Sequence, residues 1–418
     1  MNTDFYRVKR LPPYVFEGVN RMKAAMRAEG RDVIDFGMGN PDVDTPSHIV
    51  EKLVETARRP RTHRYSASKG IAGLRRAQAA YYERRFGVAL DPEAEVIATL
   101  GSKEGLANLA AAISAPGDVI LAPNPSYPIH AFGFMIAGGT LRHIPIATTG
   151  PAEAPQLDAE AYMRSLDRAV RHSVPKPCAL VVNFPSNPTA LVCDLDFYAE
   201  LVAFARRHEL WVLSDLAYAE IFFDDNPPPS ILQIPGAKEV AVEFTSLSKT
   251  YSMPGWRMGF AVGNRHLIGA LTRIKSYLDY GAYTPIQVAA TAALNGDQSC
   301  IAEIRDVYRG RRDALVESMG RAGWQVPPPP ATMFAWAPIP EPFAPMGSMA
   351  FAEMLLREAD VAVSPGVGFG EHGEGFVRIG LVENEQRIRQ AARGVKRLMD
   401  RAPDLLAAHD PSAREAAQ

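Results

Sequence analysis

The sequence predicts an α/β fold, with a mostly parallel sheet flanked by helices and a smaller α+β domain after it. Three observations support this prediction. Apolar runs of strand length alternate with helical stretches between residues 95 and 263, as in parallel βα winding. Polar or glycine-rich turns follow these runs, at the edge where such sheets collect functional groups. Beyond residue 295, long helices and short strands replace the alternation.

The composition is that of a soluble globular protein of two or three domains. The 418 residues are 47% hydrophobic and 22% charged, with a formal net charge of −2. No basic run supports nucleic-acid binding, and no apolar run is long enough to cross a bilayer. Three cysteines without paired spacing argue against disulfides or a metal site. Because residues 1–10 lack an apolar signal segment, we expect a cytoplasmic protein.

The N-terminal region contains a helical stretch and a glycine-containing turn. Residues 16–29 have helical periodicity, and an apolar run at 33–36 leads into Gly37-Met38-Gly39-Asn40-Pro41-Asp42. Glycines let the backbone approach a ligand closely, although the same residues suit an ordinary turn. Further on, Tyr65 precedes a helix at 74–86, and by itself it indicates only a partly buried loop aromatic.

The first strand of the alternation, residues 95–100, ends in Gly101, Ser102 and Lys103, which open a helix. Backbone N–H groups at such a helix start point outward, and the helix dipole stabilises an anion there by about 0.3–2 kcal/mol. Ordinary βα loops have the same composition. The turn is therefore a weak signal alone and a strong one beside Lys249 and Arg257.

Three later strands also end in candidate residues. Residues 118–123 lead to Tyr127, whose ring could stack on a flat heterocycle or simply lie in the core or on the surface. Residues 178–184 lead to Asn187 in a loop fixed by two prolines. Residues 210–215 end in Asp215, followed by Tyr218. That carboxylate could pair with a protonated ring nitrogen or merely cap a helix.

Lys249 follows the buried strand at residues 240–244 and therefore faces a crevice. Ser246 and Ser248 precede it, and Arg257 follows a Pro-Gly turn. This grouping suits pyridoxal phosphate, because a lysine amine condenses with its aldehyde while hydroxyls and a guanidinium hold its phosphate. A lone lysine would more simply lie in a solvated loop, and the complete S-x-S-K-x-x-x-x-P-G-x-R string argues against that.

The C-terminal third contains the elements of the smaller domain. One long amphipathic stretch at residues 268–294 leads into it. The elements that follow are helices at 301–321 and 348–359 and short strands at 333–337, 361–365 and 376–381. Arg378 lies inside the last strand, and a buried guanidinium requires an anion, either an internal carboxylate or a ligand.

The stretch from Ser246 to Phe260 resembles the cofactor-lysine signature of fold-type I, class I/II aminotransferases. The resemblance runs from about residue 10 to about residue 400. Residues 11–16, 37–42 and 274–277 are most similar to bacterial glutamate–pyruvate (alanine) aminotransferases. The resemblance to this family implies a seven-stranded sheet. It also implies four regions: an N-terminal arm with part of the small domain (1–45), a large cofactor-binding domain (46–294), a small domain (295–402) and a frayed tail (403–418).

The resemblance assigns roles to individual residues. Lys249 would carry pyridoxal phosphate, Asp215 would pair with its ring nitrogen, and Tyr127 would stack on its ring. Tyr218 and Asn187 would bind the ring oxygen. The phosphate would be held by Gly101, Ser102, Lys103, Ser246, Ser248 and Arg257. The catalytic residues would be Lys249, Asp215 and Tyr218.

Further roles concern the substrate and a partner subunit. Gly39, Asn187 and Arg378 would bind the substrate, with Arg378 on its carboxylate. Tyr65 would reach across a homodimer to the partner's cofactor phosphate. Family members also tend to hold the prolines at positions 125 and 188 in cis. Tyr14, Met38 and Tyr283 would line the pocket for the substrate side chain.

The implied activity is transamination between alanine and 2-oxoglutarate, which yields pyruvate and glutamate and is reversible. The sequence leaves three alternatives open. An aminotransferase of different or broader specificity would use the same residues. A carbon–sulfur β-lyase would need nearly the same cofactor site without a keto acid. A non-catalytic regulator built on this fold would usually carry an added DNA-binding domain, for which no residues are spare before Leu11.

Overall fold

The computed structural model describes residues 3–12 and 15–409, and its elements alternate as predicted. The α-helices are α1 Tyr6–Lys9, α2 Phe16–Ala28, α3 Ser47–Ala57, α4 Ala72–Phe86, α5 Ser102–Ile113, α6 Ile129–Ala137, α7 Ala159–Arg171, α8 Leu195–His208, α9 Leu247–Thr250, α10 Arg265–Leu278, α11 Thr284–Asn295, α12 Ser299–Arg321, α13 Gly347–Ala359, α14 Glu385–Asp400 and α15 Ala402–His409. The strands are β1 Ile34–Asp35, β2 Val96–Thr99, β3 Val119–Asn124, β4 Thr140–Pro145, β5 Thr148–Thr149, β6 Gln156–Leu157, β7 Pro177–Val182, β8 Trp211–Asp215, β9 Ala241–Ser246, β10 Gly259–Gly263, β11 Phe334–Pro338, β12 Val361–Ala362, β13 Ser364–Pro365 and β14 Phe376–Gly380.

The large domain is built on a seven-stranded sheet with the strand order β2-β10-β9-β8-β7-β3-β4. Strand β10 runs antiparallel to both neighbours, and the pairs from β9 to β4 are parallel. The strands are apolar on both faces because helices cover both, which is why they appear in the sequence as continuous apolar runs. The predicted mostly parallel seven-stranded sheet is confirmed.

Strand β9 carries one buried acid between its apolar residues. Glu243 accepts hydrogen bonds from the hydroxyls of Tyr82 (2.9 Å), Ser214 (2.9 Å) and Ser230, and from the backbone N–H of Ile231 (3.2 Å). Burial raises the pKa of Glu243, which these donors partly offset. The network ties β9, the strand that ends beside Lys249, to a neighbouring strand and to helix α4.

The predicted continuous helix at residues 268–294 is wrong, because the chain forms α10 and α11 with a turn between them. Asp279 is extended and its carboxylate accepts the N–H of Gly281, which has a φ of +76°. Pro285 then lies in the first turn of α11, where its missing N–H costs nothing. Helical periodicity on both sides hid this turn in the sequence.

The small domain has its own core beside the sheet. Strands β11, β14 and β13 form an antiparallel sheet, while β12 pairs in parallel with β1 from the N-terminal region. The predicted single strand at 361–365 is therefore two short strands in two sheets. Helices α13 and α14 pack on this core, which includes Trp324, Phe351 and Leu398.

Part of the tail that was predicted to be frayed from residue 403 is ordered. Residues 402–409 form α15, and Ala402 and Leu405 are buried against the small-domain core. The apolar spacing of these two residues lets a short helix pack, which the Ala-rich composition concealed. Over the described ranges, every helix is too short or too polar to span a bilayer.

Candidate active site

A cavity of about 410 Å³ lies where the strands of the large sheet end and the small domain begins. We call one side of it the cofactor half, which comprises Ser102, Lys103, Tyr127, Asn187, Asp215, Tyr218, Ser246, Ser248, Lys249 and Arg257. We call the other side the substrate half, which comprises Val19, Asn20, Lys23, Asp35, Gly37, Met38, Gly39, Asn40, Phe334, Ala362, Val363, Ser364, Phe369 and Arg378. Thirteen sequence-predicted residues therefore share one cavity.

Lys249 lies on the single-turn helix α9, immediately after β9, and its side chain lines the cavity. Burial, followed by the nearby guanidinium groups of Arg257 and Arg378, lowers its pKa to about 8. Asp215 acts in the opposite direction. At pH 7 about a tenth of Lys249 is therefore an uncharged, nucleophilic amine, far more than at the ordinary lysine pKa.

Asp215 ends strand β8 and is held by contacts on every side. Its Oδ2 lies 2.8 Å from Nε2 of His130, its Oδ1 accepts the backbone N–H of Ala217 (3.1 Å), and its carbonyl accepts from Asn183 Nδ2 (2.7 Å). His130 is fully buried in helix α6. The carboxylate therefore enters the cavity in a fixed orientation.

His130 is a residue that the sequence reasoning missed. The available signal was one ionisable residue inside the otherwise apolar run of α6, three positions after Tyr127. A buried histidine in such a run has no local indication of its partner, because Asp215 lies 85 positions away. Only the folded sheet brings the two side chains together.

Asn187 connects the two halves of the cavity. Its backbone N–H donates to Asn183 Oδ1 (2.8 Å), and its side-chain Oδ1 accepts from Arg378 Nη1 (2.8 Å). The peptide bonds before Pro125 and Pro188 are both cis, as predicted, and so are those before Pro175 and Pro185. Asn187 thus contacts the arginine of the substrate half from a loop of the cofactor half.

Tyr218 lies in the wall of the cofactor half, against the small-domain core. It is buried, and its ring meets that of Phe334 edge to face at a centroid distance of 5.8 Å. Burial raises the pKa of its hydroxyl far above the ordinary value, so the group stays protonated. Tyr218 is consequently available as a hydrogen-bond donor throughout the pH range in which the protein is folded.

The phosphate cup is formed by Gly101–Lys103 at the start of α5, together with Ser246, Ser248 and Arg257. Gly101 has a φ of +86°, and a Cβ at this position would collide with the Arg257 guanidinium. Arg257 is itself fixed by hydrogen bonds to the carbonyls of Pro254 (2.9 Å) and Leu100 (3.3 Å). Helix N–H groups, hydroxyls and a guanidinium together suit a phosphate dianion.

The side chain of Lys103 contacts an aromatic ring. Its Nζ lies 5.6 Å from the centroid of the Tyr127 ring, a cation–π arrangement. Tyr127 in turn meets His130 edge to face. An aromatic ring, a lysine, a fixed carboxylate and a phosphate cup in one cavity match the chemical groups of pyridoxal phosphate, so the residues present fit this cofactor.

Arg378 lies on β14 and is buried under the substrate half. Its Nη1 donates to Asn187 Oδ1, and its Nη2 lies 3.3 Å from the Gly37 carbonyl and 3.5 Å from Ser364 Oγ. Its guanidinium carbon lies 4.0 Å from the Phe334 ring centroid and 4.7 Å from that of Phe369. These aromatic and neutral contacts hold the fork in place while its charge faces the cavity.

Gly39 packs tightly beside this arginine. A Cβ at position 39 would run into the Phe334 ring and would lie 3.7 Å from Arg378 Nη2. Glycine therefore lets the backbone of the turn approach the guanidinium, and the role of Gly39 in binding the substrate stays a prediction. Met38 lines the cavity with a side chain that is 53% exposed. Tyr283 does not line the cavity, and Tyr14 lies outside the described residues.

Helix α2 closes the substrate half with Val19, Asn20 and Lys23, none of which the sequence reasoning singled out. Lys23 Nζ lies 2.7 Å from Asp35 Oδ2, and Arg27 lies 3.5 Å from the same oxygen. The other oxygen of Asp35 accepts the N–H of Gly37 (3.0 Å). Two cations thus share one carboxylate in the cavity wall.

Tyr65 lies apart from the cavity of its own chain. Its side chain is 85% exposed, and its ring packs on that of Tyr280 at 4.6 Å. Gly101 also stands outside the lining residues, although it shapes the phosphate cup from behind. A role for Tyr65 in the site of a second subunit stays a prediction.

Comparison with known proteins identifies the family. The sequence model described as aminotransferase class I and II matches residues 31–395. The chain is 65% identical over 403 residues to AatC of Rhizobium meliloti (strain 1021), whose name gives no substrate (96% of this chain and 97% of that protein). It is 52% identical over 414 residues to the glutamate-pyruvate aminotransferase AlaC of Escherichia coli (strain K12) (99% and 98%).

Two further comparisons concern specificity and fold. An LL-diaminopimelate aminotransferase of Moorella thermoacetica is 42% identical over 393 residues (94% of this chain and 97% of that protein). The apo structure of BacF from Bacillus subtilis superimposes with a TM-score of 0.88 at 35% identity (95% of this chain and 98% of that chain). Together with the family match, these full-length similarities show that the chain belongs to the class I and II aminotransferases and uses pyridoxal phosphate.

Proposed function

We propose that this enzyme transfers the amino group between alanine and 2-oxoglutarate, producing pyruvate and glutamate in a reversible reaction. The observation that carries the proposal is a single cavity containing Lys249, Asp215 and Arg378. The half-identical relative AlaC, named a glutamate-pyruvate aminotransferase, supports the choice of substrates. All four molecules carry the carboxylate next to the reacting carbon. Glutamate and 2-oxoglutarate carry a second carboxylate, whereas alanine and pyruvate do not.

Binding of the α-carboxylate is the role of Arg378. Its planar fork donates two parallel hydrogen bonds to a carboxylate, and the rings of Phe334 and Phe369 restrict its rotation. The backbone at Gly39 lies against the same fork. The amino acid is thereby held with its α-carbon toward the cofactor half.

Lys249 moves the proton. Bound pyridoxal phosphate supplies an aldehyde that combines with amines and a ring that accepts electron density from the substrate α-carbon. A neutral amine accepts the α-proton, and the lowered pKa of Lys249, about 8, suits this exchange near neutral pH. Because the pKa of Lys249 lies close to physiological pH, the same amine can also return the proton in the reverse direction.

The cofactor half keeps the ring oriented and electron-poor. Asp215, fixed by His130, pairs with the ring nitrogen when that nitrogen is protonated. Tyr218 and Asn187 would bind the ring oxygen. The phosphate would be held by the start of α5 and by Ser246, Ser248 and Arg257, which would keep the cofactor in place near Lys249.

The second carboxylate of glutamate has a candidate partner in Lys23. Its ammonium lines the substrate half and shares Asp35 with Arg27. Lys23 and Arg27 together carry two positive charges, and Asp35 carries one negative charge, so the three side chains have a net charge of +1. A dicarboxylate that reaches from Arg378 toward α2 would meet this excess charge.

A homodimer completes the proposed assembly. The exposed pair Tyr65 and Tyr280 lies outside its own cavity, and exposed aromatic rings on a large enzyme favour an interface. We propose that Tyr65 binds the cofactor phosphate of the partner subunit. Sedimentation of the holoenzyme tests this: a fully active monomer would remove the basis for that role.

The LL-diaminopimelate aminotransferases provide the second candidate activity. Several of them are 40–42% identical to nearly the whole chain. Their named substrate also has two carboxylates, so a cation such as Lys23 would suit either molecule. The two activities differ in whether alanine or the longer diamino acid donates the amino group.

An absorbance titration of the holoenzyme tests the substrates. We expect the cofactor band to bleach with alanine and to return with 2-oxoglutarate, because these are the two half-reactions. Bleaching with LL-diaminopimelate but not with alanine would assign the second activity. Continuous release of pyruvate without any keto acid would instead indicate a β-lyase.

A further inference from the structure

A buried lysine lies behind the phosphate cup, outside the cavity. The side chain of Lys275, on α10, has no exposed surface, and its Nζ lies 2.7 Å from Glu104 Oε1 and 2.7 Å from Asp279 Oδ2. Burying an ammonium is costly unless carboxylates compensate it. Neither the cofactor nor the substrate roles described above use this group.

The Glu104 side of the triad holds the turn that forms the cup. Glu104 lies in the first turn of α5, and its Oε2 accepts the backbone N–H of Leu100 at 2.9 Å. Leu100 directly precedes Gly101, so the carboxylate joins both ends of the strand-to-helix turn. The Asn108 side chain donates to the other oxygen.

This arrangement creates an electrostatic conflict that Lys275 reduces. Glu104 is two residues beyond Ser102, about 3 Å farther along the helix axis. The Glu104 side chain is only 23% exposed, so its negative charge, within one helical turn of the cup, repels a phosphate dianion there through partly water-excluded surroundings. The ammonium of Lys275 contacts both Glu104 and Asp279, so the triad keeps one negative charge instead of the two that would remain without the lysine. The ammonium offsets the charge of Glu104 while leaving the hydrogen bonds of Glu104 to the turn intact.

The Asp279 side anchors Lys275 from the opposite direction. Asp279 Oδ1 accepts the N–H of Gly281 (2.6 Å), and its carbonyl accepts the hydroxyl of Ser68. The turn between α10 and α11 is thereby fixed on the segment that contains Tyr65. Lys275 is consequently held between two turns that are each fixed by hydrogen bonds to Glu104 or Asp279.

We infer that Lys275 is a positioning residue for cofactor binding, which sets the affinity of the cup for phosphate by offsetting the charge of Glu104 and fixing the Leu100–Gly101 turn. It touches neither cofactor nor substrate. Its loss therefore weakens the binding of a phosphate-bearing ligand and spares a ligand without phosphate.

The test reconstitutes the full chain, freed of cofactor, with pyridoxal phosphate or with pyridoxal, and measures both dissociation constants by absorbance. We expect Lys275→Met to raise the dissociation constant of pyridoxal phosphate at least tenfold and that of pyridoxal less than threefold. Equal weakening of both ligands, or of neither, would overturn the inference. As a control, Lys238→Met removes a lysine that pairs with Glu95 elsewhere on the domain, and it should change neither constant.

Glu104→Gln, made alone and together with Lys275→Met, keeps the inference testable if Lys275→Met by itself does not fold. Glu104→Gln retains an oxygen for the Leu100 N–H but removes the charge. Added to Lys275→Met, it should bring the dissociation constant of pyridoxal phosphate back to within threefold of the wild-type value. Alone, it should lower that constant two- to fivefold without affecting pyridoxal. A failure of either result would refute charge compensation by Lys275.

Discussion

The cofactor half of the cavity stands on consecutive strands of one sheet, whereas the substrate half is gathered from α2, the turn at 37–40 and the small domain. In the cofactor half, residues such as Ser102, Asp215 and Lys249 lie at or just after the end of a buried strand, which fixes their position. In the substrate half, Arg378 is oriented by rings and carbonyls from segments up to 341 positions away. The residues that act on every substrate are thus held by one sheet. The residues that select the substrate are held by several separate segments.

This difference separates two kinds of substitution. Changes in the cofactor half should affect every substrate alike, because they act on the shared cofactor. Changes in the substrate half should range from general, at Arg378, to selective, at Lys23. The following experiments either sharpen that contrast or remove it.

Lys249→Ala should have the largest effect. Without the amine that carries the cofactor and moves the proton, we expect the turnover number to fall about 10⁴-fold or more for every substrate. Single-turnover bleaching with alanine measures this step directly, and the phosphate cup should still bind the cofactor. Turnover near the wild-type rate would show that another residue carries the proton.

Arg378→Met should come next. Removing one partner of a buried, charge-assisted interaction costs about 2–4 kcal/mol, or about 30- to 1000-fold in kcat/KM. The loss should be equal for alanine and glutamate, because both present the same α-carboxylate. Steady-state kinetics check this, with Arg389→Met as a control, since Arg389 is exposed and pairs only across one turn with Glu385. A loss confined to glutamate would place the second carboxylate at Arg378 instead.

Lys23→Met should have a smaller and selective effect. We expect kcat/KM for glutamate and 2-oxoglutarate to fall about tenfold, which corresponds to one partly solvated ion pair, and that for alanine and pyruvate to stay within threefold. Arg27→Met, which removes the more exposed cation on Asp35, is the matched control. An equal loss for all four substrates would mean that Lys23 acts only through the Asp35–Gly37 turn.

The smallest effect concerns pH. The folded chain holds the pKa of Lys249 near 8, below the ordinary 10.5, because burial and two guanidinium groups disfavour the charged form. The protonated amine is unreactive, so the rate at which cofactor-free enzyme attaches pyridoxal should rise with pH, reach half its maximum near pH 8 and level off about one pH unit higher. Arg378→Met should move this midpoint upward, because it removes one repelling cation. A midpoint near 10.5 in the wild type would contradict the assigned cause.

The two halves also differed in how much the sequence revealed. Asp215, Asn187 and Lys249 each follow an apolar run, so their neighbours alone predicted an exposed place at a strand end. Lys23 resembles any charged residue on an amphipathic helix, and Phe334 resembles any core aromatic. Their shared site exists only after the small domain folds beside the sheet, which no local pattern encodes.

His130 and Lys275 illustrate the same limit inside the large domain. Each is a buried ionisable residue in a helix, and each has a carboxylate partner on another element, 85 or 171 positions away. Helix periodicity marks such a residue as buried or exposed but gives no information about its partner. The sequence thus predicted the groups that meet the cofactor and missed those that hold them.

The contact between the rings of Tyr65 and Tyr280 has a consequence for how the enzyme is handled. The turn that carries Tyr280 is tied to Asp279, and through Lys275 and Glu104 to the cup. In the proposed homodimer, subunit association would then help to retain the cofactor, and mass action would make cofactor retention depend on protein concentration. A dilute solution would lose its yellow colour sooner than a concentrated one at the same ratio of cofactor to protein.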